Sequence, residues 1–426
     1  MLTQAKTLKY QNKHQNQNCN YLIIRVYKML ITLNNTQKKQ NLLIYCIAIL
    51  VVISISSILP VLPDMAKELH IAYNDFGIII YSFTLPGIIF SPLCGILSDR
   101  FGRKIILIFC LFFFTIGCFF SSFAQSINEL VLWRIVQGIG ASAFGVLYPI
   151  IIADIYTDQK LRLRVMSYAN TLLSIGLIVF PALGGFLGEV HWRWSLRIPL
   201  LSVLVIFLTF HTPLPQQKKN NDIKKYIKEA QRYILNINTL LFFGMTFCAF
   251  SILYGPIISY FPLFAQKIYN TSASHIGIIF ASSSLGTIIA TLCIEPMNKK
   301  FSTELILCIG SMFFIFSTLL FFLWPTNLSY IFLFVPIFCY GIGQGLLYTV
   351  AINSFTALIP NTVSGILMAM NGIILRLAQS ISPFICGILF FNDSFSFIYF
   401  FGVILSLCLF MMTLYIFFKN KNIDIY

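Results

Sequence analysis

Between Leu42 and Phe418 the chain repeats one pattern twelve times: an apolar run of about 20 residues, then a short polar break. A helical run of that length crosses ~30 Å of hydrocarbon. Backbone N–H and C=O groups find no water in that layer, so a helix, which bonds them internally, is the form the pattern dictates. The expected spans are 42–62, 76–97, 105–124, 130–153, 165–188 and 196–212, then 237–264, 274–295, 303–323, 328–350, 364–390 and 395–418. Composition agrees, with 58% of the 426 residues hydrophobic and 10% charged, against roughly 25% charged in a soluble domain. The predicted class is an all-α membrane protein of twelve transmembrane helices.

The widest interior break, 213–236, carries six basic residues and divides the spans six and six. It predicts a cytoplasmic, disordered tail over 1–41, a six-helix bundle over 42–212, a basic linker over 213–236, a second bundle over 237–418 and a short tail over 419–426. Within the linker, Asp222 to Ile234 fits an amphipathic helix lying on the membrane face. Met29 opens a segment that would itself start such a chain, so residues 1–28 read as an overextended reading frame.

A formal charge of +15 invites a nucleic-acid reading, but the cations sit in short loops and no basic domain exists to hold a duplex. Their placement speaks of topology instead. With the N-terminus inside, 23 of the 29 Lys and Arg fall in inner segments and four (Lys67, Arg193, Arg197, Lys267) in outer loops. That asymmetry predicts both termini in the cytoplasm. The other two, Arg134 and Arg376, fall inside spans. The eleven cysteines are scattered singly, and the five histidines (His14, His70, His191, His211, His275) share no motif. We therefore expect no metal site, cofactor or catalytic residue, and no enzyme. A channel would need a charged ring or filter sequence, and none is seen.

Four motifs carry the chemistry. The first is Gly95-Ile-Leu-Ser-Asp99-Arg100-Phe-Gly102-Arg103-Lys104, between spans 2 and 3. Gly95 lets helix backbones approach, Gly102 permits a turn other residues resist, and Asp99 suits a neighbouring helix N-terminus. The second is Trp133-Arg134-Ile-Val-Gln137-Gly138-Ile-Gly140 in span 4. An arginine there costs ~2.5–3.5 kcal/mol to insert and marks a functional site, unless it snorkels to the helix end. The third runs from Asp154 to Arg162 between spans 4 and 5. The fourth, Gly176-Leu-Ile-Val-Phe180-Pro181-Ala-Leu-Gly184-Gly185, gives span 5 a kink and a surface for close packing.

The first motif resembles the signature loop of the major facilitator superfamily at every characteristic position, and the resemblance extends over about 42–418. It implies two pseudo-symmetric six-helix bundles and transport by alternating access. It also makes the loop a conformational latch that locks the halves in the outward-facing state, with Asp99 facing the start of span 11 and Arg103 reaching toward Asp154. Arg134 and Gln137 would face the cavity and serve proton coupling. Span 5 resembles the family's antiporter motif, with Phe180 where its central glycine belongs, and the Leu-Pro-Val-Leu-Pro63-Asp64 ending of span 1 is similar to the bicyclomycin/chloramphenicol-resistance branch of drug:proton antiporters.

Between the halves, Gln137-Gly138 in span 4 matches Gln344-Gly345 in span 10, and Ser174 aligns with Arg376. Cavity candidates by position are Arg134, Gln137, Tyr254, Tyr340, Gln344 and Arg376, with a break at Tyr254-Gly-Pro256. No span holds a clearly intramembrane acid, so a proton would use an edge acid (Asp64, Asp99, Asp154) or the substrate itself, and a neutral or anionic cargo is favoured over a lipophilic cation. The expectation is an export carrier of a small molecule, a proton-coupled monomer in a bacterial inner-membrane bilayer. The alternative is an uptake permease, with channel or membrane enzyme more remote.

Overall fold

A computed structural model describes residues 34–215, 233–325, 327–359, 361–390 and 394–423. Residues 1–28 and nearly all of the expected linker helix at 222–234 lie outside them. Twelve helices are long and apolar enough to cross a membrane. In chain order they are α1 Asn35–Glu68, α2 Tyr73–Phe101, α3 Arg103–Ser121, α4 Ile127–Ile155, α5 Gln159–Val190, α6 Trp192–His211, α7 Ile237–Tyr269, α8 Ala273–Asn298, α9 Thr303–Phe322, α10 Tyr330–Thr356, α11 Ile366–Leu389 and α12 Ser396–Lys419. Large apolar side chains such as Phe109, Phe112, Phe207, Phe316, Ile388 and Phe418 lie exposed around them. In water such a surface would drive aggregation; hydrocarbon covers it at no cost.

Several helices start earlier than their apolar runs, because polar residues cap them. Helix α1 begins at Asn35, within the stretch assigned to the tail, where Asn34 and Gln37 form a reciprocal cap. Its first turns are then tied to neighbours: Gln40 donates to the Pro213 carbonyl at 2.8 Å, and Tyr156 donates to Asn41 at 2.6 Å. Asp158 caps α5 through the Lys160 N–H at 3.2 Å, and Ser302 caps α9 through the Leu305 N–H at 3.3 Å. A cap satisfies amides that have no intrahelical partner, so the helix extends past the hydrophobic signal.

The two halves repeat in three dimensions. A Cβ on Gly138 would meet the Phe83 backbone of α2, and one on Gly341 the Ser283 backbone of α8. Gly140 lies against Cys110 and Phe114 of α3, Gly343 against Gly310 and Phe314 of α9. Hydroxyl pairs tie α3 to α6 (Thr115–Ser202, 2.7 Å) and α9 to α12 (Ser311–Thr413, 3.0 Å). This register corrects the sequence alignment. Gly138-Ile-Gly140 corresponds to Gly341-Ile-Gly343, one turn from the match made on glutamine, so Gln137 stands opposite Tyr340 and Arg134 opposite Ile337.

Candidate functional site

The signature loop folds around one backbone exception. Gly102, with φ +95°, ends α2 and opens α3, and it is the one positive-φ glycine among the described residues. The turn delivers Arg103 into a buried position, hydrogen-bonded to Ser98, paired with Asp99 and with Asp154 Oδ2 at 3.0 Å. The α2–α3 turn is thereby tied to the end of α4. Lys104 donates to the Phe210 carbonyl at 2.7 Å, adding α6. Arg100 lies near the Phe101 ring and Arg162 is exposed.

Among the described residues, every ion pair of this loop stays in the first half. Asp99 pairs with Arg103 and, among the described residues, with nothing on α11; Gly145 of α4 and Gly372 of α11, toward this end, face open space. Gly95 makes no close approach either: a Cβ there would meet Val146 of α4, in the same half, at an ordinary 3.6 Å. The second half's Glu295–Lys299 pair, at 3.5 Å, is exposed.

The opposite end is closed. Gln266 of α7 donates to Asp64 of α1 at 2.7 Å, and Ser274 of α8 donates to Glu189 of α5. The Tyr260 hydroxyl donates to the Tyr73 carbonyl at 3.3 Å, and Lys267 lies 4.9 Å above the Tyr73 ring. Nearer the middle, Thr84 donates to the Gln379 carbonyl at 3.3 Å and Ser284 to the Leu177 carbonyl at 3.2 Å. Two glycine seams complete the closure: a Cβ on Gly77 would strike the Pro383 carbonyl, and one on Gly277 the Pro181 carbonyl.

Span 5 thus acts largely at this interface, where Gly185 abuts Ala273 of the other half and Gly184 abuts Ser57 of α1. Phe180 folds back over Gly176. Glu189 was missed in the sequence reading, since it falls just past the predicted span. Its signal was an acid on a Gly-rich helix end.

The two intramembrane arginines differ sharply. Arg134 is fully buried inside the first half, and this corrects its expected place in the cavity. Its Nε donates to the Ile79 carbonyl at 3.3 Å and its Nη1 to Gln137 Oε1 at 2.6 Å, and its guanidinium lies 4.5 Å from the Phe83 ring. Gln137, also buried, passes the network on to Ser54 at 3.1 Å. The remaining Nη2 has no partner among the described residues. Tyr340 is likewise sealed, edge-on to Phe314, its hydroxyl without a partner among the described residues, and it does not reach the cavity. Both differences follow from helix rotation: Arg134 turns toward Ile79 and Phe83 of α2 and Tyr340 toward Phe314 of α9, inside their own halves.

Arg376, Tyr254 and Gln344 are only half-buried. Arg376 lies along Gly87 of α2, whose Cβ would come within 3.1 Å of its Cδ and Nε, and it donates to Gln379 at 3.3 Å. Tyr254 is within electrostatic reach of it and opens a π-helical stretch, Leu253–Tyr260, around Pro256. The arrangement is a carrier's: helices parted at one end, sealed at the other, with polar side chains at the point of parting.

The profile of the Major Facilitator Superfamily matches residues 44–383, with a second match over 257–423. The chain belongs to the Major Facilitator Superfamily. A Bacillus subtilis (strain 168) relative, "Multidrug resistance protein 1", is 28% identical over 80% of this chain and 87% of its own. The "Quinolone resistance protein NorA" of Staphylococcus aureus (strain MRSA252) is 24% identical over 83% and 90%. Among solved structures, a bacterial homolog of the human lysosomal transporter Spinster, inward-facing and unoccupied, superposes with TM-score 0.73 at 18% identity, covering 89% of this chain and 98% of that one. A D-xylose–proton symporter follows at TM-score 0.72 and 15% identity, covering 88% and 97%. As a Major Facilitator Superfamily member the protein is an integral, multi-pass membrane transporter and not an enzyme.

Proposed function

We propose that this transporter exports a small, largely apolar compound from the cytoplasm in exchange for protons. The carrying observation is that hydrogen bonds and glycine seams seal the end away from the cation-rich loops, while Gly145 and Gly372, toward those loops, face open space. With Lys and Arg held inside, both termini are cytoplasmic and the open cavity faces the cytoplasm, the state in which cytosolic cargo enters. The relatives named for multidrug and quinolone resistance support this direction.

Alternating access then closes the latch end, carrying Asp99 toward α11, and parts Asp64 from Gln266 and Glu189 from Ser274. Tyr254, Gln344 and Arg376 line the cargo site, Arg134 and Gln137 hold the first half's interior, Pro181 and Gly185 form part of the far-end seam, and Gly184 packs α5 on α1. The proton is taken by an edge acid, Asp64, Asp99, Asp154 or Glu189, or by the cargo itself. One chain holds both halves of the cavity, so a monomer in the bacterial inner membrane suffices.

The test is compound flux in inside-out vesicles energised by a pH gradient, with a deletion strain in parallel. We expect gradient-dependent accumulation in the vesicles and higher intracellular levels of the compound in the deletion strain. A deletion strain that instead loses uptake of a nutrient overturns the export direction.

A further inference from the structure

We infer that Arg376 receives the anionic group of the cargo, so that the compounds carried are organic monoanions, carboxylates or sulfonates on a flat hydrophobic body. The inference rests on the export reading and adds the charge of what is exported. A guanidinium deep in a membrane helix must recover the hydration it has lost. Arg134 does so internally, through an aromatic face, a carbonyl and Gln137. Arg376 does not. Among the described residues its guanidinium makes a single hydrogen bond, the 3.3 Å contact to Gln379, and the groups around it, Gly87 and Thr84 on α2, Tyr254 on α7 and Ser380 on α11, are all neutral. Among the described residues every acidic side chain lies near a helix end or in a connecting segment, and none is placed to serve as a counter-ion.

The neighbourhood also has room. One turn toward the latch from Arg376, on the same face of α11, is Gly372, where an added Cβ would meet nothing within 4 Å. Gly87 opposite leaves room for the Arg376 side chain itself, which lies along it. The space beside the guanidinium therefore continues into the parted end, where a ligand arrives. On α7, Tyr254 and Phe250 lie one turn apart, and Phe250 meets Tyr348 of α10 edge-on at 5.2 Å, all three half-buried. Aromatic walls suit a flat apolar body, and a guanidinium fork matches a carboxylate or sulfonate through two parallel N–H···O bonds.

The experiment is calorimetric titration of purified full-length protein with three probes on one scaffold: naphthalene-1-acetate, its neutral acetamide, and a naphthylmethyl trimethylammonium. We expect the carboxylate to bind at least about tenfold tighter than either of the others. Arg376→Gln should abolish that preference, while Arg376→Lys keeps part of it. Gly87→Asp sets a carboxylate against the guanidinium from within, and should remove probe binding while raising the melting temperature. It carries the test alone if Arg376→Gln does not fold.

Equal binding of all three probes, preference for the cation, or a preference that persists in both Arg376→Gln and Gly87→Asp overturns the inference. So does displacement of naphthalene-1-acetate by chloride but not by gluconate, which would assign Arg376 to an inorganic anion. Proton-driven export of the trimethylammonium probe in proteoliposomes would sink the inference and leave the export reading standing. Carboxylate-selective binding with no proton-driven flux would do the reverse.

Discussion

The two halves share a backbone and differ in what they place inside it. Around Gly138 and Gly341 the packing repeats residue for residue, against Phe83 and Ser283 on one side and Phe114 and Phe314 on the other. Yet the first half buries Arg134 and Gln137 where the second buries Ile337 and Tyr340. At the latch end the contrast recurs. Arg103 and Asp154 form a buried pair, with 3% and 12% of their side chains exposed, whereas Lys299 and Glu295 are 72% and 85% exposed. A common scaffold fixes where helices touch. A few side chains decide what each half carries: the first buries a polar network and an ion pair, while the second presents Arg376.

That asymmetry can be broken at three levels. The largest effect is expected at the latch. Arg103→Ala removes the buried cation that Asp99 and Asp154 share and should cost ~3–5 kcal/mol, whereas Lys299→Ala, at an exposed pair, should cost less than about 1 kcal/mol. Melting curves of the purified variants measure both, and equal losses would erase the distinction. Next come the seams, where the halves are alike. Gly77→Val and Gly277→Val each drive a side chain into a proline carbonyl, which should disfavour the closed far end by ~1–3 kcal/mol. Thiol labelling of cysteines introduced for Asp64 and Gln266 should rise to a similar extent in both, and a one-sided response would show that the seams are not equivalent.

The smallest change in stability is expected for Arg134→Ile, which installs the second half's residue in the first. Relief of one unpartnered N–H offsets the lost contacts to Phe83 and Gln137, so the net shift should stay within about 1 kcal/mol. Proton-driven flux, by contrast, should fall by tenfold or more if the polar interior serves coupling. Retained flux would show that Arg134 is structural.

Most of the scaffold was legible because the membrane imposes one strong rule: each apolar run had to become a helix, and each did. The helix starts were less so, since capping at Asn34 and Asp158 depends on local hydrogen bonds that hydropathy does not register. The site was legible in residue type and not in direction. Arg134 and Arg376 both stood out as costly, but whether a side chain points into its own bundle or between bundles is set by helix rotation. The repeated Gly-Ile-Gly held that information, because those glycines mark the faces pressed against α2 and α3, or α8 and α9; aligning on the glutamines instead shifted the second half by a turn.

The seams at Gly77 and Gly277 also bear on insulation. An energised membrane stores ~2.3 kcal/mol per charge for each 100 mV, and a thread of water through a carrier would discharge it. Wherever side chains close a gate, their polar tips can hold such a thread. At these two seams carbonyl meets glycine directly, leaving no room between the backbones for water, so they serve as a dielectric plug beneath the side-chain hydrogen bonds of the closed end. A substitution that merely props it ajar would tax the whole cell's ion gradients, whatever it did to the cargo.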